Sequence, residues 1–227
     1  APVANAMMRL RPIATVARAT AGIDQRRSIP AFARRTLRRA AETSTLASGD
    51  DAPDVWVWAD SFTDHFLPQT AQAAIRVLEG AGLTVRVIDE KACCGLTWIT
   101  TGQLTQAQKI VRRTIATLAP YADSGAPVLG LEPSCLAALR TDAAELVDDP
   151  AVGRVADAMV TFAELVTRLD LPLPDLRGVR VVAQPHCHQA AVLGWAADRA
   201  LLERAGAEVT AVGGCCGLAG NFGVEQG

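Results

Sequence analysis

The residues of this 227-residue chain with the greatest chemical potential are its six cysteines. Four of them form two adjacent pairs, each followed by glycine and leucine, at Cys93–Leu96 and Cys215–Leu218. Neighbouring Cα atoms lie about 3.8 Å apart, below the usual disulfide range, so adjacent cysteines do not easily bridge to each other. Because the sequence contains no recognisable export signal, we interpret the cysteines as thiolates for metal or redox chemistry. They are Cys93, Cys94, Cys135, Cys187, Cys215 and Cys216.

Soft thiolates in this number suit an iron–sulfur cluster or zinc. His186 and His188 flank Cys187, and they are either further metal ligands or residues that shape the loop and hydrogen bond to sulfur. Cys135 lies at a predicted helix start, where the helix dipole favours a thiolate, although it could also be a small buried apolar residue. Direct dithiol–disulfide exchange at the cysteine pairs is a third hypothesis.

The elements that must position the cysteines are short apolar runs alternating with amphipathic segments. This alternation predicts an α/β fold with parallel sheets covered by helices, in which loops beyond the carboxyl ends of strands collect the ligands. The predicted strands are Val55–Ala59, Thr84–Ile88 and Val128–Leu131, and the predicted helices are Gln69–Gly80, Leu104–Leu118, Leu136–Leu146 and Val155–Leu169.

The chain also contains an internal repeat. Residues 78–85 (LEGAGLTV) recur as residues 202–209 (LERAGAEV), and each copy is followed by its Cys-Cys-Gly-Leu block. The repeat predicts two pseudo-symmetric halves, at 54–150 and 151–227, after an arginine-rich helical arm and linker at 1–53. The first copy continues past its CCG block through a helix, a strand and Cys135, whereas the second copy stops at Gly227. We therefore expect the chain to be a piece of a longer protein, truncated at both ends.

The first 40 residues of the chain carry a large excess of positive charge. These hold one acid, Asp24, against the arginines Arg9, Arg11, Arg18, Arg26, Arg27, Arg34, Arg35, Arg38 and Arg39. Such an arm could meet nucleic acid, a membrane surface or an acidic domain. Only one aromatic residue, Phe32, lies among the arginines, so we expect no nucleic-acid partner and favour a solvated or domain-docking pair of helices. No apolar run reaches the length of a membrane helix.

The two CCG blocks, with Cys135 and with His186–His188, resemble the duplicated cysteine-rich (CCG) domain. That domain occurs in heterodisulfide reductase, in lactate-utilisation proteins and in the iron–sulfur subunits of glycolate oxidase and anaerobic glycerol-3-phosphate dehydrogenase. Residues 58–63 (WADSFT), 131–135 (LEPSC) and 215–220 (CCGLAG) are most similar to the C-terminal part of fused flavin/iron–sulfur D-2-hydroxy-acid dehydrogenases of the D-lactate and D-2-hydroxyglutarate type.

This resemblance implies a cytoplasmic iron–sulfur module that works beside FAD-binding and ferredoxin-like domains. A peripheral position at the inner face of the membrane is an alternative location. FAD in a domain absent from this chain would oxidise the substrate, and a 4Fe-4S cluster would pass electrons to a quinone or another carrier. The six cysteines would be the cofactor-binding residues, with His186 and His188 as added metal ligands. No residue of this chain would be catalytic, and the fragment alone would not turn over substrate.

Two departures from the family pattern affect the first half. Asp60 and Ser61 stand where the family has a cysteine after the first strand, and Ala138 replaces the second cysteine of a CxxC. Three thiolates remain, fewer than the four of an ordinary cluster. The second half has Cys187, Cys215 and Cys216, and we expect the missing tail of the intact protein to contribute more ligands. We therefore expect the cluster in the second half, while the first half has lost its cluster or uses Asp60 or His65 as a further ligand.

One competing function is a structural or docking domain that holds zinc with Cys and His ligands. Another is the dithiol–disulfide domain introduced above. A hydrolase or kinase is not indicated, because the sequence has no Walker, HExxH or Ser-His-Asp arrangement.

Overall fold

The four-stranded parallel sheet at the centre of the molecule positions the first three cysteines. The computed structural model describes residues 1–42 and 52–214. The strands of this sheet lie in the order β2-β1-β3-β4, and a second, two-stranded parallel sheet pairs β5 with β6. The strand bounds are β1 (Val55–Val57), β2 (Val85–Val87), β3 (Val128–Leu129), β4 (Met159–Val160), β5 (Arg180–Ala183) and β6 (Glu208–Ala211). The predicted α/β class, with helices covering parallel sheets, is confirmed.

Helices connect and cover these strands. In chain order the described helices are α1 (Pro2–Met8), α2 (Arg11–Thr20), α3 (Leu37–Ala41), α4 (Ser61–His65), α5 (Pro68–Gly80), α6 (Leu96–Thr100), α7 (Leu104–Asp123), α8 (Pro133–Arg140), α9 (Asp142–Leu146), α10 (Ala151–Ala158), α11 (Phe162–Arg168) and α12 (Ala196–Arg204), with a π-helical turn at Gln189–Leu193. Across the described ranges, no helix combines the length and the apolar character needed to cross a bilayer.

The larger sheet is buried on both faces, as its runs of valine and leucine require. One face packs against α7, α8 and α10, and the other packs against α3, α5 and α11. The strand residues Val55, Val57 and Leu129 are fully buried between these two layers. This double burial fixes the register of the strands, and therefore also the relative positions of the loops that follow them.

The repeated sequence folds as a repeated structure. The units β1-α5-β2 and β5-α12-β6 each form a parallel strand pair with a helix between its strands, with Val55 opposite Val85 and Val181 opposite Val209. The two units differ in their surroundings. β1 is paired on both sides, by β2 and β3, whereas β5 pairs with β6 alone among the described strands. The side chain of Val182 on β5 is 71% exposed.

The single helix predicted at Val155–Leu169 is wrong. The structure divides this segment into α10, β4 and α11, because the apolar pair Met159–Val160 pairs with β3 and adds a buried edge to the sheet. Thr161 then starts α11 with a capping box, in which its side chain and that of Glu164 bind each other's backbone amides. The domain boundary predicted at residue 150 falls before α10 and β4, and these elements extend the sheet of the first half.

The other predicted helices need smaller corrections. The helix predicted at Leu136–Leu146 begins earlier, at Pro133, and divides at Thr141 into α8 and α9. In the predicted helical arm, α1 and α2 are separated at residues 9–10, and Pro12 lies in the first turn of α2, where proline is well accommodated. Helix α7 runs beyond the predicted end at Leu118 to Asp123, with Pro120 inside it.

The basic arm (residues 1–42) packs onto the fold through α3. Leu37 and Ala41 are buried against the sheet, and between them Arg38 makes an ion pair with the buried Asp64 of α4. Helix α3 thus docks onto the rest of the described fold. Most of α1 and α2 is solvated, with Ala14 as their buried residue. The linker predicted at the end of the 1–53 segment lies mostly outside the described residues.

Candidate redox and metal site

Three loops meet at the carboxyl edge of the larger sheet, as the parallel topology requires. The loop after β1 carries Asp60, the loop after β2 carries Cys93 and Cys94, and the segment after β3 leads through Glu132 to Cys135. The structure brings Cys94 and Cys135 together: the Cys94 thiol donates a hydrogen bond to the Cys135 sulfur, with 3.0 Å between the two Sγ atoms. Both thiols are buried, at 5% and 6% exposure.

The loop that carries Cys93 and Cys94 is tied to the sheet and to α7. The Trp58 indole donates to the Ala92 carbonyl at 3.2 Å. The buried Thr114 hydroxyl accepts from the Cys93 amide at 3.1 Å and donates to the Cys93 carbonyl at 2.7 Å. Gly95 turns the chain with a φ of +78°, and a Cβ there would lie 3.2 Å from a Val111 methyl group. The glycine of the CCG block is therefore required by both conformation and space.

Cys135 lies in the first turn of α8, as predicted. The Glu132 carboxylate caps this helix by accepting from the Cys135 amide at 2.6 Å. The hydrogen bond from Cys94 lowers the pKa of the Cys135 thiol, but burial and the negative charges of Glu132 and Asp60 outweigh it and raise that pKa overall. The expected helix-dipole effect is thus overcome by desolvation and by neighbouring acids.

The other two thiols of the first half are also kept protonated. The hydrogen bond that Cys94 donates to Cys135 raises the pKa of Cys94, and burial adds to this increase. The hydrogen bond to Cys94 likewise raises the pKa of the half-buried Cys93, again with a contribution from burial. The result is a chain of three hydrogen-bonded thiols running from Cys93 near the surface to Cys135 in the core.

The two alternative ligands predicted for the first half have other partners. Asp60 is almost fully buried and caps α4, where its carboxylate accepts from the amides of Phe62 and Thr63 and from the Thr63 hydroxyl. Burial raises the pKa of Asp60 despite these hydrogen bonds. His65, at the end of α4, has an exposed side chain whose Nε2 lies 3.5 Å from the Asp64 carboxylate. A ligand role for either residue stays a prediction.

The predicted ligands of the second half lie in the segment after β5. His186 and Cys187 are exposed, and the Nε2 atom of His186 lies 3.2 Å from the Ser134 hydroxyl, next to Cys135. The Nδ1 atom of His188 is buried and has no hydrogen-bond partner within the part of the chain that the structure describes. Cys215 and Cys216 lie outside the described residues.

The donors of the first half do not fit an ordinary iron–sulfur cluster. Such a cluster takes four cysteine thiolates, and this site offers three thiols. Their pKa values are all raised, by hydrogen bonding and burial at Cys93 and Cys94 and by burial and nearby acids at Cys135. Within the described ranges, no group of three or more histidine, cysteine, aspartate or glutamate side chains is arranged to hold a metal ion. In the second half, the unpartnered Nδ1 of His188 beside Cys187 fits the ligand role predicted there.

Sequence reasoning missed the polar residues that hold the site together. Arg38 donates from its backbone and side chain to the Asp64 carboxylate, at 3.0 and 2.6 Å, and from its side chain to the carbonyls of Ala59 and Glu90, at 3.3 and 3.5 Å. It thereby joins the loops after β1 and β2. The only sequence signal for Thr114 is that a polar residue occupies the apolar face of α7. Arg38 had no such signal, since it is one arginine among many.

Comparison with known proteins places these observations in a family. Residues 61–140 match the family CCG, described as a cysteine-rich domain. One of the subunits of anaerobic glycerol-3-phosphate dehydrogenase from Escherichia coli K12 is 27% identical over 234 residues, covering 100% of this chain and 59% of the relative. Lactate utilization protein A from Bacillus velezensis is 26% identical over 184 residues, covering 76% of this chain and 75% of the relative.

No solved structure matches the chain. It spans about three fifths of the length of the glycerol-3-phosphate dehydrogenase subunit. The match at 61–140 contains α4, the CCG turn and the whole of α8, and so includes the loops that bring the thiols together. The resemblance predicted from the CCG blocks is confirmed: residues 61–140, with Cys93, Cys94 and Cys135, match the cysteine-rich domain family CCG.

Proposed function

We propose that this chain is an iron–sulfur electron-transfer module of a dehydrogenase that uses FAD to oxidise a D-2-hydroxy acid. The observation that carries this proposal is the cysteine-rich stretch at 61–140, in a chain similar to a glycerol-3-phosphate dehydrogenase subunit and to a lactate utilization protein. Cysteine-held clusters transfer electrons between a flavin and a distant acceptor. In this proposal the substrate and FAD bind to another domain, and a quinone or similar carrier accepts the electrons.

We assign the cluster to the second half. Cys187, Cys215 and Cys216 are its thiolate ligands, and His188 is a candidate for a further one. Two observations support this assignment: Cys187 is exposed rather than packed into a core, and the buried Nδ1 of His188 has no partner in the described ranges. The 3.2 Å contact between Ser134 and His186 supports a fixed position of this segment beside the first half.

The test is anaerobic purification of the full-length protein, followed by analysis of iron and acid-labile sulfide and by EPR spectroscopy after reduction. We expect iron and sulfide to be lost in Cys187→Ala and Cys216→Ala, and to be retained in Cys94→Ala. Iron-free wild-type protein, prepared without oxygen, would contradict the proposal. Turnover of D-lactate or D-2-hydroxyglutarate by the assembled flavoenzyme, followed by acceptor reduction, tests the substrate class.

A zinc-holding structural domain is the second candidate, and the histidines favour it. His186, Cys187 and His188 combine nitrogen and sulfur donors, and zinc accepts both in structural sites. Stoichiometric zinc without sulfide in the purified protein would select this function. The same measurement therefore separates the two candidates.

A further inference from the structure

Two thiols that are in direct contact belong to two different elements of the described chain. Cys94 lies in the loop after β2, Cys135 lies in the first turn of α8, and the two are separated by 41 positions in sequence. Their Sγ atoms are 3.0 Å apart. A disulfide has an S–S distance of about 2.05 Å, so the two sulfurs need to approach by only about 1 Å to form a bond.

The backbone around this pair is fixed by contacts that do not involve the thiols. Thr114 holds the backbone of Cys93, the Glu132 carboxylate holds the amide of Cys135, and Trp58 holds the carbonyl of Ala92. Both sulfurs lie in the apolar core formed by α7, α8 and α10. Because these anchors remain after oxidation, a small rotation of each side chain is the principal change that bond formation needs.

We propose that Cys94 and Cys135 form a reversible dithiol–disulfide couple in the first half, and that Cys93 is the thiol that exchanges with small disulfides from solvent. The couple takes the place of a cluster that three thiols cannot hold in the ordinary way. This inference does not depend on a cluster in the second half. Cys93 suits the exchange role because it is half-buried, whereas Cys94 and Cys135 are buried, so it is the thiol of the three that a small disulfide can reach.

The exchange balances with a low-molecular-weight disulfide, RSSR, as the oxidant. The Cys93 sulfur attacks one sulfur of RSSR while its proton passes to the departing sulfur, which gives a Cys93–SR mixed disulfide and releases RSH. Cys94 then attacks the Cys93 sulfur and releases the second RSH. Finally Cys135 attacks the Cys94 sulfur, and Cys93 leaves as a thiol after taking the proton of Cys135. One RSSR thus becomes two RSH, while two protein thiols become one disulfide.

The last step runs forward because the two possible protein disulfides differ in strain. A bond between the adjacent residues Cys93 and Cys94 would hold Cα atoms about 3.8 Å apart, below the usual disulfide range. A bond between Cys94 and Cys135 joins two separate elements whose sulfurs already touch. The strained vicinal disulfide is therefore an intermediate, and the Cys94–Cys135 disulfide is the stable product.

The experiment equilibrates the intact protein with mixtures of reduced and oxidised glutathione, blocks free thiols with an alkylating agent and maps disulfides by mass spectrometry. Tryptic cleavage at Lys91, Lys109, Arg113 and Arg140 leaves Cys93 and Cys94 in one peptide and Cys135 in another. We expect a cross-link between residues 92–109 and 114–140 that dithiothreitol reverses. The loop it closes should raise the melting temperature by roughly 10 °C.

Variants make the assignment specific. Cys135→Ala and Cys94→Ala should each abolish the cross-link and the rise in melting temperature, whereas the matched control Cys187→Ala at an exposed thiol should retain both. Cys93→Ala should retain the cross-link but slow its formation by oxidised glutathione at least tenfold. A stable Cys93–Cys94 disulfide in the wild-type protein would overturn the proposal. So would thiols that stay reduced in the folded protein at every glutathione ratio, or thiols that react only after a bound metal is removed.

Discussion

The two copies of the strand–helix–strand unit place their cysteines in opposite environments. In the first half, β1 lies inside a four-stranded sheet between two helical layers, and Cys94 and Cys135 are part of the core. In the second half, β5 and β6 form a two-stranded sheet with exposed side chains, and Cys187 lies at the surface. Among the described cysteines, the first copy therefore holds buried, neutral thiols in the loops after β2 and β3, whereas the second copy holds an accessible thiol in the loop after β5.

This difference teaches that a strand–helix–strand unit does not by itself fix the environment of the cysteines in the loops after its strands. The packing around each loop decides whether a thiol is buried and protonated or exposed to solvent. In the first half, helices α7, α8 and α10 and the carboxylates of Asp60 and Glu132 supply that packing and charge. Four pairs of variants, one residue from each side of the contrast, test how far the two environments differ.

The largest effect is expected from the buried ion pair of the first half. Asp64→Ala leaves the side chain of Arg38, which is 10% exposed, without its carboxylate, and should reduce the free energy of unfolding by about 3 kcal/mol. The matched control is Asp175→Ala, which removes an exposed pair with Arg177 near the second sheet and should leave the denaturation midpoint unchanged. Urea denaturation followed by circular dichroism measures both, and equal losses would contradict the contrast in burial.

Substitutions of apolar residues near the two sheets should differ almost as strongly in their effect on the free energy of unfolding. Leu118→Ala opens a cavity at a fully buried position of α7 and should cost about 3 kcal/mol of unfolding free energy. Val182→Ala removes a side chain from exposed β5 and should change it by less than about 0.5 kcal/mol. A large loss for Val182→Ala in thermal or urea unfolding would mean that the face of β5 is covered in solution.

Substitution of the glycine in the CCG turn should reduce the free energy of unfolding by a smaller amount, for two reasons. Gly95→Ala should cost about 1–2 kcal/mol, since alanine is strained at a φ of +78° and its Cβ would press on Val111. Gly178→Ala, before β5, has a similar φ of +81° with open space around it, and should cost only the conformational part. The difference between the two midpoints isolates the contact with Val111. Equal values would show that Val111 moves aside without cost.

The smallest effect is expected at Glu164, where α11 begins. Burial alone would raise the pKa of this carboxyl, but the hydrogen bonds from Arg140 and Thr161 outweigh it and lower the pKa below its ordinary value. A lowered pKa stabilises the fold at pH values above the unfolded-state pKa, and this contribution is lost as the pH falls through the folded-state pKa. Solvent screening of this partly exposed pair keeps the contribution to about 1 kcal/mol.

Glu164→Gln should therefore be less stable than the wild-type protein at pH 7, and the gap should close as the pH falls below about 4. Urea denaturation at a series of pH values measures this. As a control, Glu203→Gln changes an exposed carboxylate of α12 that pairs with Arg199, and should show no comparable dependence on pH. A gap that stays constant down to acid pH would indicate that the cap, rather than the charge of Glu164, is responsible.

Much of the fold of the first half was predictable from the sequence, and the features that were missed have physical causes. The apolar runs and the repeat predicted the parallel strands and the convergence of Cys94 with Cys135, because topology alone brings these loops to one edge. The strand β4 was missed because its two residues, Met159 and Val160, fit the apolar pattern of the neighbouring helices. Only their pairing with β3, which the sequence does not show, makes them a strand. The contacts of Arg38 with Ala59, Asp64 and Glu90 were missed because these partners are distant in sequence. Such partners leave no periodic pattern around the arginine.

The contacts of Arg38 have a consequence for how the cysteine-rich domain can be separated from the rest of the chain. A fragment that starts at residue 54, after the basic arm, would retain every cysteine of the first half but lose Leu37 and Arg38. It would expose the apolar surface beneath α3, leave Asp64 as a buried charge without its partner, and release the loops after β1 and β2 from each other. The smallest unit able to fold alone therefore begins before Leu37, upstream of the stretch that defines the family.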